Sequence, residues 1–199
     1  MYNNNIPKKN TTTSKEVCYC DLDGVFAPYP ECWLDFIEVQ TQHHFNSLDE
    51  AKKRLSYADY ISLKNNYRSS DFKYTLAPRK DSSYFTKFLK QRGYSLVIAT
   101  IRPISHPKLM IRTIRWLDKS EILFDDILFC NSEFDVVTKY PTLSFCVEDE
   151  PNVANIMAGW GYQVFLMRSN YHDIANLHKS VVVVEGFRDI MEILKECDK

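Results

Sequence analysis

Six short, nearly uninterrupted apolar runs, at residues 17–20, 95–99, 126–130, 143–147, 162–167 and 181–184, most constrain what this chain can fold into. A strand covered on one face alternates apolar and polar residues. A strand covered on both faces has no need to, so runs of this kind predict a parallel sheet with helices on either side. The intervening segments carry the helical period. Phe85, Phe88 and Leu89 mark 82–91, and Met110, Ile111, Ile114 and Leu117 mark 107–119. Residues 152–160 run up to Gly161, and Phe187, Ile190, Met191 and Leu194 mark 186–197. Strands alternating with helices predict an α/β fold: a doubly wound, Rossmann-like, mostly parallel sheet with right-handed crossovers.

One segment departs from the alternation. Residues 29–80 hold no strand-like run, only helical patterns at 33–39, 48–55 and 60–67. They are predicted to form a small helical cap inserted after the first strand, leaving 16–28 and 81–199 as the core. Residues 1–15 are rich in Asn, Thr and Lys and lack periodicity, as expected of a mobile tail. A chain of 199 residues, 45% apolar and 26% charged, can bury one substantial core. Its net charge of −1 gives no general attraction to a polyanion. No apolar stretch reaches the roughly 20 residues a membrane span needs. Cys18, Cys20, Cys130 and Cys146 lie within apolar runs and read as small buried hydrophobes. With no CxxC pair and no secretory pattern at the N-terminus, a cytoplasmic setting without structural zinc is expected.

In an open α/β sheet, ligands bind beyond the carboxyl ends of the strands. Four of the runs end in polar groups that would meet there: Asp21 and Asp23, Thr100, the 131–139 region, and Glu148 with Asp149. Asp21 and Asp23 stand one residue apart before Gly24, whose conformational freedom suits a tight turn. Such a pair can divide labour, one carboxylate attacking phosphorus and the other exchanging a proton with the leaving group. Adding Glu148 and Asp149 crowds carboxylates that repel one another unless a cation sits among them, and oxygen ligands beside phosphate suit Mg²⁺. The Thr100 hydroxyl and neighbouring backbone amides would hold phosphate oxygens. Each feature alone has an ordinary explanation, an Asx turn at 21–23 or a helix start at 149–151. Their coincidence at strand ends carries the functional reading.

The ordered set Asp21-Leu22-Asp23-Gly24-Val25, Ala99-Thr100-Ile101-Arg102-Pro103 and Val147-Glu148-Asp149-Glu150-Pro151 resembles the haloacid dehalogenase superfamily of phosphatases. The resemblance implies that Asp21 forms an aspartyl-phosphate and that Asp23 is the acid/base. It implies Mg²⁺ held by Asp21, the Asp23 backbone carbonyl and Asp149, with Glu148 assisting. Thr100 and Ile101 would bind the phosphoryl group, and either Lys139 or Arg102 would supply the neutralising cation.

The cap would choose the substrate. Of its aromatic residues, most would form the cap's own core, while Phe26 and Tyr29, nearest the nucleophile loop, would be free to stack on a nucleobase. Arg68, Lys73, Arg79 and Lys80 form a basic stretch at the return to the core. The cap position and the Asp-Gly-Val motif look like the 5′(3′)-deoxyribonucleotidase branch, which implies a nucleoside monophosphate. Thr113 to Leu117 is similar to the phosphatase half of polynucleotide kinase–phosphatases, which implies a nucleic-acid 3′-phosphate instead. A sugar phosphate, a phosphotransferase or phosphomutase using the same aspartyl-phosphate, and a non-catalytic phosphate sensor are the remaining alternatives.

Overall fold

The structure, a computed structural model, describes residues 15–101, 107–132, 134–171 and 173–196. One six-stranded sheet runs through its centre in the order β3-β2-β1-β4-β5-β6. The strands are β1 (Val17–Asp21), β2 (Ser95–Ile101), β3 (Asp126–Cys130), β4 (Leu143–Glu148), β5 (Val164–Met167) and β6 (Val181–Val184). Every neighbouring pair is parallel. The chain moves outward from β1 through β2 and β3, then crosses back to lay β4 on the other side of β1. The expected Rossmann-like α/β class is what is observed, and β1 is its switch point.

The reason for the unbroken apolar runs is visible in how their residues divide. Cys18, Cys20, Leu96, Ile98, Phe145, Val147 and Phe165 join one cluster with helices α5 (Ser82–Gln91), α6 (Pro107–Lys119) and α9 (Phe187–Glu196). Their neighbours Tyr19, Val97, Ala99, Cys146, Val164 and Leu166 join a second with α7 (Asp135–Lys139) and α8 (Pro151–Gly159). Successive side chains still alternate faces, but both faces are dry. Cys18, Cys20, Cys32, Cys130 and Cys146 are buried free thiols. Cys197 and residues 1–14 of the expected tail lie outside the described residues.

Between β1 and α5 the chain forms α1 (Glu31–Thr41), α2 (Leu48–Arg54), α3 (Tyr57–Ser69) and α4 (Phe72–Thr75). Ser47 and Ser56 cap α2 and α3, their hydroxyls accepting from Glu50 N and Asp59 N at 3.1 Å. These helices enclose their own cluster around Trp33, Phe36, Ile37 and Tyr67. The helix α4 has no counterpart in the sequence reading, because four residues are too few to express a helical period. The return segment is tied to the core: Trp116 Nε1 donates to Leu76 O at 3.0 Å and Arg112 Nη1 to Ser69 O at 2.9 Å. Arg79 braces the two crossings, its backbone N–H donating to Phe26 O at 2.8 Å and its Nη2 to Tyr29 O at 3.2 Å. No described helix is long and apolar enough to cross a membrane.

Phe187 is stacked between Phe85 at 4.6 Å and Phe26 at 5.4 Å between ring centroids, joining the last helix to the loop after β1. Phe187→Ala is therefore expected to cost about 3–5 kcal/mol in urea unfolding, the range for deleting a fully buried ring. A loss below about 1 kcal/mol would mean that the ring is not buried in this stack.

Candidate active site

The loop that follows β1 explains how two carboxylates reach the same place. Phe26 and Ala27 donate their backbone N–H groups to Leu22 O at 3.0 and 2.9 Å, and Gly24 donates to Ala27 O at 2.9 Å. This tight turn buries Leu22, Val25 and Phe26 completely while Asp21 and Asp23, on either side of Leu22, face a pocket. Gly24 adopts φ +85°, and a Cβ built there would lie 1.8 Å from Asp149 Oδ2. Only glycine meets both conditions, a left-handed backbone and the passage of a carboxylate where a side chain would be.

The sheet register brings the second acidic pair to the first. Cys20 pairs with Val147, so Asp21 and Glu148 are the next residues along adjacent strands. Carboxylate oxygens of Asp21, Glu148 and Asp149 lie within 4.8 Å of one another. Glu148 is buried, its Oε1 accepting the Tyr19 hydroxyl at 2.5 Å. Loss of water, then the charges of Glu148, Asp149 and Asp23, push the Asp21 carboxyl well above the usual carboxylate range. Loss of water and the nearby Asp23 push Asp149 up to about 8, against a partial pull down from Arg79. These oxygens are hard ligands, close together and destabilised by their own repulsion. The Gly24 cradle lets Asp149 approach, and the set fits a divalent cation of the Mg²⁺ type.

Beside this cluster lies a cavity of about 300 Å³ lined by Asp21, Asp23, Thr100, Ile101 and Leu109 from the core. Tyr29, Lys64, Tyr67, Arg68, Lys73 and Tyr74 line it from the inserted helices. Asp21 belongs to both the cavity and the carboxylate cluster. Thr100 is buried in the strand next to β1, one step beyond the Asp21–Ala99 pair.

Two expectations need correction. Lys139 is not at this site: it sits at the end of α7, exposed, with Nζ donating to Asp126 Oδ2 at 2.6 Å. Asp126 opens β3, so this pair lies at the amino edge of a parallel sheet, the rim opposite the cavity. Helix α7 returns the chain toward that edge, which carries its late residues away from the site. Phe26 is 0% exposed and stacked on Phe187, so it faces the core and not a ligand. The Asp23 carboxylate stands outside the three-carboxylate group and pairs with Lys73. Arg102 falls outside the described residues.

Lys73 belongs to the basic stretch that could either greet an anionic substrate or serve as a solvated hinge; its side chain is only 11% exposed and contacts Asp23 across the cavity. The sequence reading did not single out Tyr19 or Lys64. Tyr19 hid within an apolar run, where a phenol reads as another core ring. Lys64 lay within a helix pattern, where a lone lysine reads as solvated surface.

No family model and no curated protein sequence matches the chain. Solved structures do match its fold. A candidate beta-phosphoglucomutase from Thermotoga maritima aligns over 91% of this chain and 99% of its own at 16% identity, TM-score 0.61. D,D-heptose 1,7-bisphosphate phosphatase from B. bronchiseptica, complexed with magnesium and phosphate, aligns over 91% and 98% at 14% identity, TM-score 0.54. A HAD hydrolase, family IA, variant 3 from Entamoeba histolytica aligns over 90% and 99% at 16% identity, TM-score 0.54. The chain thus shares the overall fold of these solved structures.

Two outcomes follow from the carboxylate cluster. Between about pH 4 and 8 the folded chain holds a proton on Asp149 that the unfolded chain, with an ordinary value of 3.8, has lost. Stability of the metal-free protein therefore falls as pH rises through that window. Mg²⁺ competes with this proton, so its stabilisation in thermal melts should be larger at pH 8 than at pH 5, reaching about 2.7 kcal/mol at a hundred times its Kd. Gly24→Ala should abolish that Mg²⁺ response, and an unaltered response would contradict the close passage of Asp149.

Proposed function

We propose that the chain is a Mg²⁺-dependent phosphomonoester hydrolase working through an aspartyl-phosphate on Asp21. The observation that carries this is the double membership of Asp21. One carboxylate borders both a cluster suited to a divalent cation and a cavity suited to a ligand, at the switch point of the sheet.

In this reading an Asp21 oxygen attacks phosphorus and the bond to the leaving oxygen breaks, with Asp23 giving that oxygen its proton. Water then attacks the phosphorus of the acyl phosphate, Asp23 takes the proton back, and phosphate leaves with Asp21 regenerated. Asp21, Glu148, Asp149 and the Asp23 carbonyl would hold the cation, which would supply positive charge to offset that on the nucleophile and the transferring group. Thr100 and the Ile101 backbone hold phosphoryl oxygens. Lys73 takes the neutralising role expected of Lys139, and it arrives from the insert instead of the core.

The substrate fits a sugar-phosphate type better than a nucleotide. Phe26 is consumed by the core, and Trp33, Phe36 and Tyr67 pack on one another at 5.2–5.8 Å between centroids. Tyr29 stays on the cavity wall, but its hydroxyl accepts from Lys64 at 3.2 Å. The heptose bisphosphate phosphatase with this fold is named for a sugar phosphate.

The test is hydrolysis of p-nitrophenyl phosphate, sugar phosphates, nucleoside 5′- and 3′-monophosphates and 3′-phosphorylated oligonucleotides with and without Mg²⁺. Mg²⁺-dependent release of phosphate is expected, with sugar phosphates ahead of nucleotides. Asp21→Asn should lower kcat by about 10³-fold or more, as loss of a nucleophile does. Lys73→Met should cost about 10²–10³-fold, as loss of a charge-stabilising donor does, whereas Lys139→Met should leave activity intact. Unchanged turnover in Asp21→Asn would sink the proposal.

A further inference from the structure

The inserted helix α3 puts two cations, Lys64 and Arg68, into the wall of the cavity. Four residues apart on one helix, they lie on the same face and repel each other. Three other cations of the insert pair with acids: Arg54 with Glu50 at 2.8 Å, Arg79 with Glu31 at 3.5 Å, and Lys73 with Asp23. Among the described residues neither Lys64 nor Arg68 has a carboxylate partner. Lys64 Nζ donates to the Tyr29 hydroxyl at 3.2 Å and lies over the rings of Tyr29 and Trp33 at 5.0 and 4.9 Å. Rings and a phenol orient an ammonium without cancelling its charge. Loss of water and the charge of Arg68 push Lys64 down to about 8, against a partial pull up from Asp23.

Lys64 is half-buried and Arg68 exposed, so the cost of keeping the lysine charged in the cleft falls when something negative arrives beside the two. The phosphoryl group does not serve, because the proposed reaction presents it to Asp21, Thr100 and Lys73. We infer that Lys64 and Arg68 form a second anion subsite, so that the substrate carries another phosphate or a carboxylate beyond the one hydrolysed. The inference rests on the phosphatase reading and narrows it. A cavity of about 300 Å³ holds both groups only within one compact molecule. The second anion would also draw the charge-bearing face of α3 onto the substrate, coupling recognition to the placement of Lys73 further along the same insert.

The test compares substrates that differ only in the second anion, using the full chain with Mg²⁺. Glucose 1,6-bisphosphate and 6-phosphogluconate are set against glucose 6-phosphate, and a nucleoside 3′,5′-bisphosphate against its 5′-monophosphate. The doubly anionic member of at least one pair should have a kcat/KM about tenfold or more higher, the size expected for a charged hydrogen bond. The bisphosphate and phosphonate-free acid arms separate phosphate from carboxylate recognition. Lys64→Met with Arg68→Met should erase most of that ratio, while Lys64→Arg with Arg68→Lys, which keeps both charges, should preserve it. In an Asp21→Asn background, where binding is read without turnover, the preferred compound should bind about tenfold more weakly once both charges are removed. Equal turnover within every pair, or a ratio that survives the double Met variant, overturns the subsite while p-nitrophenyl phosphate hydrolysis keeps the phosphatase reading alive. No hydrolysis of any phosphate ester overturns both.

Discussion

Mutual repulsion among Asp21, Glu148 and Asp149 is the constraint around which the rest of the molecule is organised. Three carboxylate oxygens within 4.8 Å of one another are unfavourable in a half-dry setting, and the fold spends several features on keeping them there. The adjacency of β1 and β4 brings Asp21 beside Glu148. Tyr19 holds Glu148 by its hydroxyl, from inside the strand that carries Asp21. Gly24 gives up a side chain so that Asp149 can pass. The phosphatase proposal follows from the fit of this cluster to a cation and from the cavity placed against it.

Charge is divided between the two parts of the chain. The core supplies an acidic floor, from strand ends whose geometry the parallel sheet sets. The insert supplies Lys64, Arg68 and Lys73, all on the same cavity. In this arrangement the core alone would bind metal but would lack the cations that offset a phosphoryl group. The insert is anchored to α6 through Trp116 and Arg112 and braced by Arg79 at its crossings. In the proposed reaction its docking supplies the positive charge at the site.

The same physics accounts for which residues the sequence exposed and which it hid. The strands were legible because burial on both faces leaves an apolar run that needs no partner to be recognised. Asp21, Asp23, Thr100, Glu148 and Asp149 were legible because each directly follows such a run. Lys139 misled because its place in the chain, between β3 and β4, says nothing about which rim of the sheet it occupies. Phe26 misled because a ring two residues past Gly24 has two destinations, and only the stack with Phe187 selects the core. Lys73 is fifty residues from Asp23 along the chain, and no local pattern signals that they meet.

By itself the sequence determined the strands, the longer helices, the parallel class of the sheet and the acidic strand ends, because these depend on burial patterns and local turns within a few residues. Tertiary structure alone decided which cation reaches Asp23, which aromatics face the cavity, and that Tyr19 steadies Glu148. Those contacts join residues far apart in the chain, and their partners are set by how the insert docks and which face of the sheet each side chain enters. Periodicity records that a residue is buried; it does not record what it is buried against.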